Sequence, residues 1–203
     1  MQAINDYSDP FDALEEFENA ISEFTGAPGV ILTDSCTHAI ELGLRYKMPE
    51  LYATLPHKTY ISVPMTLHKL GIDFMYTAEE WKGEYRIEGS NVWDSARLFE
   101  KDMYSRGKMQ CLSFGHTKTL EIGHGGAILT DDKKAYKWLK RAAYDGRDLS
   151  IKHWWDQTDF NVGYHYMMRP EDAVIGLNKL AANDFNTNQS YKYPDLREIK
   201  INT

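Results

Sequence analysis

Cysteine is scarce in this sequence. Cys36 and Cys111 stand alone and far apart, with no CxxC pair and no metal-ligand spacing. A disulfide framework and a cysteine-held metal are thereby excluded, and a reduced, cytoplasmic setting is expected. Long apolar runs are missing too: none approaches the ~20 residues that span a bilayer, so no membrane partner is expected. The first ten residues, MQAINDYSDP, lack the basic region and apolar stretch of a secretory signal. Basic charge is in deficit, with 23 Lys and Arg against 30 Asp and Glu and a net charge of -7. That excludes a nucleic-acid binder relying on a broad basic surface. It leaves room for a small anion, because a local pocket can oppose the global charge.

What is present is the composition of a folded domain. Hydrophobic residues make up 42% and charged residues 26% of 203 residues. A chain of that length buries roughly 70% of its unfolded surface without staples. Asp9, Pro10 and Gly26 suit the start and stop of a first helix, with Phe11, Leu14, Phe17, Ile21 and Phe24 along one face. Beyond it, short apolar runs alternate with helical patterns. Strands are expected at 30–33, 51–55, 72–76, 91–93, 110–114 and 127–130, and helices at 38–46, 62–70, 132–144 and 171–182. The alternation predicts an α/β domain over 1–182, a mostly parallel central sheet with helices on both faces. Ligands of such sheets sit beyond the carboxyl ends of the strands. From 183 to 203 the chain turns polar and reads as an extended tail or arm.

Polar clusters fall where strands end. Asp34-Ser35-Cys36-Thr37 lies between a strand and a helix, and N–H groups at a helix start with two hydroxyls can cradle a phosphate. Asp94 follows the apolar Val92-Trp93, where a carboxylate can pair with a ligand cation. Lys118, set among hydroxyls in SFGHTK, precedes the glycine-rich EIGHGG. A buried amine with a lowered pKa can attack a carbonyl. The order of glycines and lysine is not that of a Walker A loop. Pyridoxal phosphate (PLP) needs all of these parts: a phosphate cradle, a carboxylate for its ring nitrogen, an aromatic over the ring and a lysine for its aldehyde.

SFGHTKTLEIGHGGAILTDD resembles the matching segment of the DegT/StrS-type family of PLP-dependent sugar aminotransferases, which have the aspartate-aminotransferase-like large domain. The resemblance implies that Lys118 is the Schiff-base lysine, holding the cofactor as an internal aldimine, and that Ser113 contacts the phosphate. VWDSAR is similar to the family's strand ending in Asp-x-Ala-Gln, which makes Asp94 the pyridinium partner and puts Arg97 where the family has Gln. LPHKTYISVP makes Tyr60 the stacking ring, and TDSCTHAIEL makes Cys36 and Thr37 phosphate contacts, Cys36 replacing a Gly. GYHYMMRPEDA places His165 where relatives carry an Asn that reaches the partner subunit's phosphate, and Met167 where they carry Arg.

The resemblance implies amino transfer from a donor such as glutamate to a keto sugar, nucleotide-linked by family analogy, in a homodimer with shared active sites. It covers about residues 11 to 182, a short form without the family's smaller C-terminal domain. Two other readings stand beside it. A PLP-dependent sugar dehydratase would have a His in place of Lys118, and His116 is nearby. A degenerate binding or assembly subunit would fit Cys36, His165 and Met167. The cluster His153-Trp154-Trp155 reads as buried or loop packing, with a substrate platform as the alternative, and the remaining histidines form no metal spacing.

Overall fold

A computed structural model describes residues 1–49, 51–187 and 192–201. The first helix opens where the Asp9 carboxylate accepts the Phe11 N–H at 3.0 Å, and α1 spans Asp12–Thr25. Gly26 stops it at φ 77°, a left-handed conformation that costs a glycine little. Phe17 and Ile21 of its predicted face are fully buried, whereas Phe11 stays half in solvent, stacked on Tyr144.

The chain continues through β1 (Gly29–Thr33), α2 (Cys36–Tyr46), β2 (Ala53–Pro56), α3 (Ser62–Lys69), β3 (Phe74–Thr77), β4 (Tyr85–Arg86), β5 (Val92–Asp94), β6 (Met109–Ser113), β7 (Gly126–Thr130), α4 (Lys133–Ala143) and α5 (Pro170–Ala181). Every strand and helix expected from the sequence is present with shifted ends. Asp132 caps α4 through the Lys134 and Ala135 N–H groups, and Pro170 opens α5. Strand β4 has no counterpart among the expected elements, because two residues carry no periodicity.

A five-stranded sheet has the order β1-β7-β6-β5-β4, and β2 and β3 pair in parallel apart from it. The α/β class holds. The expected mostly parallel pairing is corrected to a mixed one: β5–β6 is parallel, while β1–β7, β6–β7 and β4–β5 are antiparallel. The reason is local. The link between β6 and β7, residues 114–125, forms the turn that carries Lys118 and contains no crossover helix, so β7 returns beside β6 in the opposite direction.

Alternate strand residues feed separate cores. Ile31, Cys111 and Ile128 pack with residues of α2, α3 and α4, whereas Val30, Leu32, Leu112 and Leu129 pack with α1 and α5. Helices therefore cover both faces, which is why the strands read as continuous apolar runs. At the sheet's β1 edge, Glu18 of α1 accepts the Leu32 N–H at 3.2 Å and meets Lys140 of α4 at 2.7 Å. This carboxylate satisfies an edge donor and locks the helices of opposite faces together.

The C-terminal residues lie against this body. Phe185 packs on Phe24 and Phe99, the Asn186 N–H donates to the Thr119 carbonyl at 2.9 Å, and Leu196 is buried with its N–H on the His57 carbonyl. Among the described residues no helix is long and apolar enough to cross a membrane, and no group of His, Cys, Asp or Glu could hold a metal.

Candidate active site

Three strand ends converge. Asp94 closes β5, Ser113 closes β6, and β1 leads through Asp34 and Ser35 into the first turn of α2. Between them lies a cavity of about 280 Å³, which brings together Cys36, Thr37, Tyr60, Asp94, Arg97, Ser113 and Lys118. It lies beyond strand ends, as expected for an open α/β sheet. His165 is outside it. Its ring is exposed and meets Asp145 at 3.0 Å. His116, the residue nearest to a dehydratase-like alternative, is 82% exposed at its side chain.

Asp94 is buried, with its carboxylate fixed at both oxygens. Oδ1 accepts the Ala96 N–H at 3.0 Å and Oδ2 accepts the Tyr85 hydroxyl at 2.9 Å. Burial pushes its carboxyl up; those hydrogen bonds and the charges of Lys118 and Arg97 pull the other way. Burial, then the Arg97 charge, lowers the Lys118 amine, with Asp94 acting against them. A lowered amine is neutral, and so nucleophilic, over more of the pH range. Thr117, just before it, sits at φ 78°, which a β-branched residue rarely adopts, and the Lys118 N–H closes the turn on the Gly115 carbonyl at 3.2 Å. Arg97 donates to the Thr117 carbonyl at 3.4 Å and to the Tyr193 hydroxyl at 3.5 Å.

The start of α2 forms one side of the cavity. Ser35 caps the helix by accepting the His38 N–H at 3.2 Å, which leaves the first-turn residues Cys36 and Thr37 facing the cavity. The Thr37 hydroxyl meets that of Ser62 at 2.8 Å. Burial raises the Cys36 thiol well above its ordinary range, so it stays protonated, donating to the Cys111 carbonyl at 3.4 Å. Close approach of α2 to β7 depends on Gly126. A Cβ there would lie 2.5 Å from the Cys36 nitrogen and 2.8 Å from the Leu112 carbonyl oxygen, both backbone atoms. Gly126→Ala is therefore expected to displace the α2 start and cost about 1–3 kcal/mol, read by thermal denaturation.

These residues fit a ligand with a phosphate at one end and a cationic ring nitrogen and a carbonyl carbon at the other. The helix start suits the phosphate, the anchored carboxylate suits the cation, and the buried amine suits the carbonyl. The sequence reading missed Tyr85, Ser62 and Tyr193. Tyr85 sits in a segment without a motif, Ser62 lies two residues beyond Tyr60 in a segment read for its aromatic alone, and Tyr193 lines the cavity from the polar tail.

Residues 94–194 match the DegT/DnrJ/EryC1/StrS aminotransferase family. The GDP-perosamine synthase of Escherichia coli O157:H7 is 29% identical over 97 residues, which are 48% of this chain and 26% of that protein. Among solved structures, 3-amino-5-hydroxybenzoic acid synthase is similar with a TM-score of 0.69 at 16% identity, over 85% of this chain and 56% of that one. The sugar aminotransferase CalS13 from Micromonospora echinospora gives 0.69 at 15% identity, over 85% and 61%. Bacillus subtilis NtdA, solved with bound PMP, gives 0.67 at 21%, over 83% and 47%.

The fold is thus that of the PLP-dependent aminotransferases. The match to the DegT/DnrJ/EryC1/StrS aminotransferase family covers residues 94–194, just under half of the chain. It spans 26% of the curated relative and between 47% and 61% of these three solved chains.

Proposed function

We propose that this protein is a PLP-dependent aminotransferase that moves an amino group from glutamate to a nucleotide-linked keto sugar. The observation that carries this reading is the convergence of a Lys118 amine lowered by burial and an anchored Asp94 in one cavity closed by the start of α2. PLP, when bound, supplies an electrophilic carbon and a ring that absorbs the electrons released at the substrate. Lys118 is the residue to hold that carbon and afterwards to move a proton at the substrate carbon through its Nζ. Asp94 would pair with the ring nitrogen and favour its cationic form. Thr37, Ser113 and the α2 start, with Cys36, would hold the phosphate, and Tyr60 would be the stacking ring. Arg97 would be a donor to the ring's phenolic oxygen.

A homodimer belongs to this reading, since the exposed His165 is outside the lining of its own cavity and, on the family resemblance, would serve a neighbouring chain's phosphate. A cytoplasmic setting is supported by the free thiols of Cys36 and Cys111. In this reading residues 1–182 form the PLP-binding large domain and 183–203 an arm. A binding or assembly subunit without turnover is the second reading, favoured by His165 standing in place of the family's Asn.

The test is to add PLP to the purified chain, reduce with borohydride and map the modified peptide. The label is expected on Lys118; a label on another lysine, or none, overturns the assignment. Release of 2-oxoglutarate from glutamate in the presence of a nucleotide-linked keto sugar then separates transfer from binding alone.

A further inference from the structure

Strand β4 brings a buried hydroxyl to the floor of the site. Tyr85 is 1% exposed and its hydroxyl lies between two partners, Asp94 Oδ2 at 2.9 Å and Thr59 Oγ1 at 2.6 Å. Thr59 is equally buried, and the Trp81 ring packs on the phenol at 4.9 Å between centroids. A phenol has one proton. An ionised Asp94 can only accept, so the Tyr85 proton goes to Asp94 and the Thr59 proton goes to Tyr85. The direction of the chain Thr59→Tyr85→Asp94 is therefore set by the carboxylate at its end.

From this geometry we infer that Tyr85, backed by Thr59, is a positioning residue that holds Asp94 as an oriented anion aimed into the cofactor cavity. The inference rests on the cofactor reading above. Asp94 is out of water, and an isolated buried carboxylate neutralises itself by taking up a proton. A neutral acid could not pair with a ring cation. The Tyr85 hydroxyl opposes that, because hydrogen bonds to the ionised form favour it, and they are stronger than those between neutral groups. It also fixes rotation. With Oδ1 held by Ala96 and Oδ2 by Tyr85, the carboxylate plane cannot turn, and its remaining lone pairs are left for the ligand.

The experiment measures the PLP dissociation constant by equilibrium dialysis, with the visible absorption spectrum of the bound cofactor, in the intact chain and its variants. Tyr85→Phe keeps the ring and removes the proton; it is expected to raise the dissociation constant about tenfold, the usual effect of one hydrogen bond to a buried charge. It should also lower the fraction of bound cofactor absorbing as the ring-protonated form. Thr59→Val, which leaves the Tyr85 ring packed, should move both readouts the same way by about twofold and keeps the test open if Tyr85→Phe does not fold. In an Asp94→Asn background Tyr85→Phe should change affinity less than about twofold, since the charge it serves is gone.

Wild-type protein that retains no PLP overturns the cofactor reading and this inference with it. If the wild type binds while Tyr85→Phe matches it in affinity and spectrum, only the relay is overturned. Equal losses from Tyr85→Phe in the wild-type and Asp94→Asn backgrounds would likewise reduce Tyr85 to a packing residue.

Discussion

Replacing Lys118 with Ala is expected to abolish covalent retention of PLP and to lower amino transfer by about 10³-fold, within the range that general acid–base catalysis alone contributes. The side chain lines the cavity from a turn held by backbone hydrogen bonds, so the fold should survive its truncation. Reversible binding should persist, because Asp94 and the α2 start remain. Lys118→Arg sharpens the test. It keeps a positive charge near Asp94, but a guanidinium is not deprotonated and cannot attack a carbonyl. If the lysine served only as a charge, Arg would rescue turnover; if it is the nucleophile and proton carrier, Arg fails as Ala does. Assays of 2-oxoglutarate release, with peptide mapping after borohydride reduction, distinguish these outcomes.

Lys140→Met is expected to have the largest effect on stability, about 3–5 kcal/mol, because it leaves Glu18 as an uncompensated buried carboxylate. Glu18 meets Lys140 through both oxygens at 2.7 Å and also accepts the Leu32 N–H at 3.2 Å. For a chain of this size that corresponds to a fall of about 10 °C in Tm. The pH dependence carries a definite sign. Burial already raises the Glu18 carboxyl, opposed by Lys140 and the Leu32 N–H, and losing Lys140 raises it further. A folded pKa above the ordinary 4.5 means the native state holds a proton that the unfolded chain has released. The variant's stability therefore falls as pH rises from about that value through the raised one, and its deficit shrinks on acidification. Thermal melts of both proteins across that window would show the deficit growing toward neutral pH. A deficit independent of pH would mean that lost packing, not an unpaired charge, explains the cost.

The gap between sequence and structure can be read residue by residue. Asp94, Ser113 and Lys118 were legible because each ends an apolar strand or follows one closely, and apolar runs between turn residues mark strands even without their partners. Cys36 and Thr37 were legible as a helix start able to cradle an anion, whereas Tyr60 was legible only through resemblance to a family, since an exposed aromatic is ordinary by itself. Tyr85 was illegible. Its strand is two residues long, and its burial depends on Thr59, Trp81 and Asp94 closing around it. Tyr193 was misplaced for a related reason: a polar segment reads as a solvated arm until its few apolar residues, Leu196 among them, find a surface to cover.

Local periodicity and side-chain type were enough to establish the α/β class and the positions of the helices and most strands, and to single out a lysine and a carboxylate that the fold brings into one cavity. Three features came only with the folded chain: the sheet is mixed, Asp94 is held by a buried hydroxyl, and His165 is outside the cavity that gathers the other candidate residues. Strand direction depends on how a link crosses the sheet, and the state of a buried charge depends on which groups replace its water. Both are set by the path the folded chain takes, which no local pattern of residue types encodes.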